Sequence, residues 1–264
     1  MTIGSVALVV HPGKPEAGRL AEKIGEHLTA SGLKVTDESP DLVLSLGGDG
    51  TMLRASHSAH RADALLLGIN MGTLGYLTEI DAPDAVDALD RVVRGDFHVE
   101  ERMMLRCSTD DPAMPDDAVC LNEVLLERAA GHRLVRVRMR INHESLASIN
   151  ADGVIVATPT GSTAYALSAG GPIVSPRASV LVVVPVSPHM IFSRPFVLAP
   201  DDVVELTVEG RSVEASLSLD GFVGCSIHAG SKVEIRRHER PLKLVRLAGP
   251  GFIERLRTKL GLPA

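Results

Sequence analysis

The sequence predicts an open α/β domain at the N-terminal end followed by a β-rich domain. Three observations lead there. Between Ile3 and Ile69, apolar runs of strand length alternate with amphipathic stretches in the order β-α-β-β-α-β, as crossover helices on a sheet require. A glycine-rich turn, Gly47-Gly48-Asp49-Gly50, joins one of these runs to a helical pattern. Beyond residue 97 the period falls to two: Arg136, Arg138 and Arg140 alternate with Val135, Val137, Met139 and Ile141, as in a strand with one wet face.

Ile3 to Val10 is a buried strand closed by Pro12-Gly13. Residues 15 to 31 place Leu20, Ile24 and Leu28 on one helix face, and Gly32 suits the C′ position. Leu33 to Thr36 is a short strand, Asp41 to Leu46 a buried one, and Met52 to His60 a helix. Leu65 to Ile69 feeds a second glycine-rich turn, Gly68 to Leu77, and Pro83 opens a helix that runs to Arg94. Strands are then expected over Phe97–Ser108, Ala118–Glu127, Arg133–Asn142, Val154–Ala157, Val180–Val186, Val203–Val208, Val213–Leu219 and Lys232–Leu247. Asp110 to Asp117 reads as a polar loop tip, and 163–168 as a short helix. Phe252 to Leu260 is a final helix; a sheet-rich domain offers it no slot, so it should return to the first domain. The divisions expected are 1–96, 97–247 and 248–264.

Composition narrows the function classes. The 264 residues are 45% hydrophobic, enough for a real core, but only 3% aromatic, so aliphatic side chains must build it. A net charge of −6 argues against broad nucleic-acid binding, and the basic stripe at 136–140 reads as a solvated sheet face. Cys107, Cys120 and Cys225 form no CxxC pair or disulfide framework, which fits a reducing cytoplasm. The apolar start is too short for a signal sequence or a membrane span. His57 and His60 share a helix face, but no further Cys or His completes a zinc site.

The turn at 47–50 lies at a strand's carboxyl end, where open α/β sheets bind ligands. Its glycines allow a close approach of the backbone to phosphate, and N–H groups at a helix start can point at phosphate oxygens. Asp49 is out of place in a pure phosphate cradle, because a carboxylate repels phosphate. It makes sense as a metal holder or as the group that takes a proton from a hydroxyl attacking phosphorus. The competing reading is a tight turn in which Asp49 caps the next helix.

A second unusual stretch runs from Asn150-Ala151-Asp152-Gly153 through Thr158-Pro159-Thr160-Gly161-Ser162-Thr163-Ala164-Tyr165. Its hydroxyls suit ribose and phosphate, and the Tyr165 ring can stack on a flat base; a Ser/Thr-rich turn capping a short helix is the alternative. Asn122-Glu123 precedes an apolar strand, and an adjacent amide and carboxylate can read a purine or a ribose diol.

Together these stretches resemble the NAD kinases: Gly47 to Thr51, the turn from Gly68 to Tyr76, Asn122-Glu123, Asp152-Gly153 and Thr158 to Tyr165. The resemblance spans nearly the whole chain. It implies transfer of a terminal phosphoryl group from ATP or polyphosphate to the 2′-hydroxyl of the adenosine ribose of NAD. It further implies a C-terminal β-sandwich-like domain, a divalent ion (Mg²⁺ or Mn²⁺) with ATP, and a homodimer or homotetramer.

Position by position, the resemblance makes Asp49 the catalytic carboxylate, and Gly47, Gly48, Gly50, Thr51 and Gly72 the donor-phosphate residues. NAD would meet Gly50, Tyr76, Asn122, Glu123, Asp152, Thr160, Thr163, Ala164, Tyr165 and Ser187, with Asp152 supplied by a neighbouring subunit. No resident metal ligand is implied. Thr73 stands where many members carry a basic residue, and Phe222 replaces a glutamine common after Asp220-Gly221. A lipid kinase sharing the Gly-Gly-Asp-Gly-Thr core would need a membrane-binding surface, and no basic amphipathic helix supplies one. A non-catalytic NAD(P) sensor would have little reason to keep Asp49.

Overall fold

The computed structural model describes residues 3–72, 75–110, 114, 118–129, 134–189, 193–210, 214–247 and 249–263. They form two compact units, Met1–Arg102 with Leu242–Ala264, and Met103–Pro241.

The first unit holds, in chain order, β1 (Ser5–Val10), α1 (Pro15–Ala30), β2 (Lys34–Val35), β3 (Leu42–Gly47), α2 (Asp49–Ala62), β4 (Leu65–Asn70), β5 (Ile80–Asp81), α3 (Ala85–Val93) and β6 (His98–Arg102). Its sheet runs β2-β1-β3-β4, with β5 also on β4. Every residue of β3 and β4 is buried, which is why these strands read as continuous apolar runs rather than alternating ones. Ala17, Ile24 and Leu28 of α1 and Ala85, Leu89 and Val92 of α3 close one core with the sheet. The strand Leu242–Arg246 extends the sheet by pairing parallel to β4 and antiparallel to β6. The terminal helix, Phe252–Leu260, ends at Gly261 in the left-handed region.

The second unit holds β7 (Leu105–Thr109), β8 (Ala118–Cys120), β9 (Glu123–Arg128), β10 (Val135–Ile141), β11 (Glu144–Ala151), β12 (Gly153–Ala157), α4 (Tyr165–Ser168), β13 (Leu181–Val186), β14 (Phe196–Leu198), β15 (Val204–Glu209), β16 (Ala215–Leu219), β17 (Phe222–Ile227) and β18 (Lys232–Arg237). Two sheets, β11-β10-β15-β18-β7-β8 and β14-β13-β12-β9-β16-β17, share one aliphatic core. Leu105, Val137 and Leu206 come to it from one sheet and Leu126, Val154 and Leu217 from the other. The terminal strand and helix of the first unit are accordingly β19 (Leu242–Arg246) and α5 (Phe252–Leu260).

The differences from the sequence reading have physical causes. The expected strands Phe97–Ser108 and Lys232–Leu247 each divide between the two units, after Arg102 and after Arg237. Pro241 interrupts the later run, and the His238 N–H to Met104 carbonyl bond closes the second unit's side of the crossing. The N-terminal unit therefore takes His98–Arg102 and Leu242–Arg246, beyond divisions at 96 and 247. The expected strand Ala118–Glu127 also changes sheet, at Leu121-Asn122. The hairpin β16–β17 was missed, although Asp220-Gly221 between two alternating runs is a turn signal; Asp220 and Gly221 take φ of 53° and 76°. Asn142 and His143, with φ of 50° and 68°, make the hairpin that adds β11, also not expected. Arg133, Val213, Thr73 and most of the loop at 110–117 lie outside the described residues.

Candidate active site

In the first unit, β3 and β4 lie parallel with Gly47 opposite Asn70, so their two glycine-rich turns leave the same edge side by side. The Met71 N–H donates to the Gly47 carbonyl at 3.0 Å and fastens the turns together. Helix α2 starts at Asp49 rather than at Met52. Gly48 occupies the N-cap position, and its carbonyl accepts the Thr51 and Met52 N–H groups.

Asp49 does not cap that helix. Its carboxylate crosses to the second turn, where Oδ2 accepts the Tyr76 N–H at 2.9 Å and Oδ1 the Leu77 N–H at 3.1 Å. Glycine is required opposite it, since a Cβ on Gly75 would stand 2.1 Å from Asp49 Oδ1. Gly47 is required for a different reason: its Cβ would fall 2.2 Å from Oγ1 of buried Thr51. Gly48 and Gly50 face open space. Burial, and after it the Asp49 carboxylate, push the Tyr76 phenol above its ordinary pKa.

Beside Asp49 lies a cavity of about 220 Å³ lined by His11, Lys14, Gly48, Gly50, Thr51 and Arg54. Lys14 Nζ donates to the Met71 carbonyl at 2.7 Å, which holds the ammonium over this edge, 3.2 Å from where a Gly72 Cβ would stand. A helix N-terminus, bare glycine backbone and two cationic side chains in one cavity suit an anion with several oxygens. The sequence reading had Gly48, Gly50 and Thr51 here and missed His11, Lys14 and Arg54. A signal existed: His11 and Lys14 follow β1, whose carboxyl end adjoins that of β3, and the His11 N–H donates to the Leu46 carbonyl at 3.0 Å.

The second unit brings Asn122, Glu123 and the Thr158–Tyr165 stretch together. Thr158 donates through its N–H to the Asn122 carbonyl (2.8 Å) and through its hydroxyl to the Leu121 carbonyl (2.6 Å). Gly161 lies against Asn122 so closely that a Cβ would meet the Asn122 carbonyl oxygen at 2.1 Å. From the other side Asp220 accepts the N–H groups of Leu121, Asn122 and Glu123 at 2.8, 2.6 and 3.3 Å. Asp220 thus fixes the pair, a role that its place in a hairpin turn did not disclose.

Glu123 is 7% exposed, and its Oε2 is buried with no hydrogen-bond partner among the described residues. Burial, and then Asp220, push its carboxyl up to about 8. A buried acceptor left unbonded is costly, and a ligand hydroxyl arriving there would satisfy it.

Of the four hydroxyls around Gly161, Thr158 bonds as above, and Ser162 bridges the Pro159 and Val174 backbones. The Thr163 hydroxyl donates to the Thr160 carbonyl at 3.2 Å. Tyr165 opens α4 with 41% of its surface exposed, and Ala164 precedes it half-buried. Ser187 is exposed just past β13 at φ 45°. Asp152 pairs with Arg128 of its own chain at 2.7 Å, both half-exposed. Phe222 is 38% exposed at the start of β17.

Residues 33–97 match the family model described as the ATP-NAD kinase N-terminal domain, and residues 121–247 the ATP-NAD kinase C-terminal domain. A NAD kinase of Corynebacterium diphtheriae is 42% identical over 86% of this chain and 72% of its own length. An NAD kinase from Archaeoglobus fulgidus, solved in complex with ATP, superposes with a TM-score of 0.78 at 27% identity, covering 98% of this chain and 99% of that one. Yeast NADH kinase, solved in complex with NADH, shares the fold with a TM-score of 0.90 at 22% identity, covering 100% of this chain and 89% of that one. With both family models matched and that identity over most of its length, the chain belongs to the NAD kinase family of phosphotransferases.

Proposed function

We propose that the chain transfers the terminal phosphoryl group of ATP, or of polyphosphate, to the 2′-hydroxyl of the adenosine ribose of NAD, with Asp49 as the catalytic group. The observation that carries this is the Asp49 carboxylate, oriented by two backbone N–H groups beside a cationic cavity at a helix N-terminus. A carboxylate that does not cap its own helix and is fixed by two N–H groups, with its sequence neighbours Gly48 and Gly50 lining such a cavity, suits proton abstraction from a hydroxyl attacking phosphorus.

In that reaction the 2′-oxygen forms a bond to the terminal phosphorus as its proton passes to Asp49. The bond from phosphorus to the bridging oxygen breaks, and its electron pair leaves with the diphosphate of ADP. Lys14, Arg54 and the first N–H groups of α2 offset the charge on the phosphates. In the second unit, Glu123 and Asn122 accept and read ribose hydroxyls, Tyr165 stacks on the nucleotide, and Thr160, Thr163, Ala164 and Ser187 line its pocket. Tyr76 and Gly72 border the reacting end in the first unit.

The donor set does not describe a resident metal site. Among the described residues no three Asp, Glu, His or Cys side chains converge, and both oxygens of Asp49 already accept N–H groups. Mg²⁺ or Mn²⁺ fits here as a complex with ATP, ligated by the phosphates themselves, and would supply charge neutralisation. We read the chain as a cytoplasmic homodimer or homotetramer in which Asp152 serves a neighbouring subunit's NAD. The buried thiols of Cys107, Cys120 and Cys225, which form no disulfide among the described residues, fit a reducing compartment. Family models over both units favour this function over a lipid kinase.

The test is NADP formation from NAD with Mg-ATP, other triphosphates or polyphosphate, in wild type and Asp49→Asn. Asparagine offers one acceptor where two N–H groups point, and takes up no proton. Turnover should fall by about 10²–10⁴. Absence of NADP with every donor would refute the activity. Wild-type turnover in Asp49→Asn would remove that residue from the chemistry.

A further inference from the structure

We propose that Arg255, on the C-terminal helix, is a positioning residue for Asp49, acting through the planar Gly75–Tyr76 peptide. This rests on the reading of Asp49 as the group that takes the 2′-hydroxyl proton. The geometry is that of a single peptide unit held at both ends. Its carbonyl, on Gly75, accepts Arg255 Nη1 at 3.0 Å; its N–H, on Tyr76, donates to Asp49 Oδ2 at 2.9 Å. A trans peptide is rigid and its C=O and N–H point in opposite directions, so the guanidinium position dictates where the N–H aims. A cation on the carbonyl also polarises the unit and strengthens its N–H as a donor.

The strap has further anchors. Arg255 also donates to the Thr78 carbonyl and pairs with Glu79 Oε2 at 3.1 Å. Arg246 meets the same Glu79 oxygen at 2.7 Å, and Glu79 Oε1 accepts the Leu247 and Gly249 N–H groups at 3.0 and 3.2 Å. Arg255 is 3% exposed and Glu79 8%. The arginine is tied back to its own helix start, its Nε donating to the Pro250 carbonyl at 2.8 Å. A helix that tethered the chain end and nothing more would bury an aliphatic residue at lower desolvation cost than a guanidinium. This one instead aims its planar fork at two carbonyls and a carboxylate of the segment that holds Asp49.

The experiment compares kcat, KM for NAD and urea midpoint in wild type, Arg255→Lys, Arg255→Ala and Gly261→Ala. The last strains the helix end at φ 62° and leaves the guanidinium in place. A lysine keeps one charge but cannot span both carbonyls and Glu79. We expect kcat to fall roughly 10- to 100-fold in Arg255→Lys, with KM for NAD within about twofold of wild type. Millimolar methylguanidinium should recover part of the Arg255→Ala rate, and Gly261→Ala should keep wild-type kcat despite a lower urea midpoint. On an Asp49→Asn background, Arg255→Lys should cost little more, because the two act as one unit.

Wild-type kcat in Arg255→Lys, no rescue by methylguanidinium, full additivity with Asp49→Asn, or an equal kcat loss in Gly261→Ala would each overturn the proposal. Wild-type protein that makes no NADP fails the functional reading itself. Asp49→Asn that turns over normally fails the role of Asp49 and this inference with it.

Discussion

Replacing Gly75 with alanine should slow turnover by displacing Asp49, the proposed catalytic carboxylate, while leaving the fold intact. The added Cβ would lie 2.1 Å from Asp49 Oδ1 and 2.7 Å from its Cγ. Carbon and oxygen meet without overlap at about 3.3 Å, so the carboxylate or the 75–77 backbone must give by about 1.2 Å. Neither has slack. Asp49 is held by the Tyr76 and Leu77 N–H groups, and Gly75 by the Arg255 guanidinium. A misplacement of about 1 Å in a reacting group costs on the order of 10²-fold in rate, equivalent to about 2.7 kcal/mol of activation free energy. The assay is steady-state NADP formation at saturating NAD and ATP, with the NAD Kd from calorimetry. kcat should fall about 10²-fold with the Kd near wild type, because the residues assigned to the nucleotide lie largely in the second unit. A kcat within twofold of wild type would show that the orientation of Asp49 is not what the reaction depends on. A rise in Kd as large as the loss in kcat would show the turn to be a binding element instead.

Three further outcomes are expected. The Glu123 carboxyl stays protonated in the folded chain up to about 8, so the folded state holds a proton that the unfolded chain gives up from about 4.5 upward; its contribution to stability falls as pH rises through that window. A ribose hydroxyl donating to Glu123 favours the charged form, so the NAD Kd should tighten from pH 6 towards pH 8 by up to about tenfold per unit, and Glu123→Gln should flatten the profile; a flat wild-type profile contradicts this. Tyr165→Ala should raise KM for NAD more than it lowers kcat, since stacking is felt equally in ground and transition states; a kcat loss at constant KM would assign the ring another role. Mixing inactive Asp49→Asn and Asp152→Asn proteins under subunit exchange should restore part of the activity, and the absence of any rescue would place each active site within one subunit.

Much of this was legible in the residues because it is local. Gly-Gly-Asp-Gly after the largely apolar run Leu42 to Leu46 marks a strand-to-helix turn, and its backbone freedom does not depend on distant partners. The period-two alternation at 135–141 announced a strand with one wet face, and β10 has that pattern. Strand length was less legible. An apolar run does not record where it leaves one sheet for another, so Phe97–Ser108, Ala118–Glu127 and Lys232–Leu247 were each read as single strands and each divide.

The sequence by itself determined the classes of the two units and the glycine turn with its lone carboxylate. Folding decided what that carboxylate does. As read locally, Asp49 could equally cap α2; the fold sends it to N–H groups of Tyr76 and Leu77 on a different turn. The fold also gathered His11, Lys14 and Arg54 from two separate segments into one cavity, and brought Arg255 from the far end of the chain to the strap behind Asp49. Glu123 is an ordinary carboxylate in the sequence and a proton-holding one in the structure, because burial withdraws the water that would stabilise its charge. Each of these depends on desolvation or on contacts across long stretches of chain, and neither exists until the chain is folded.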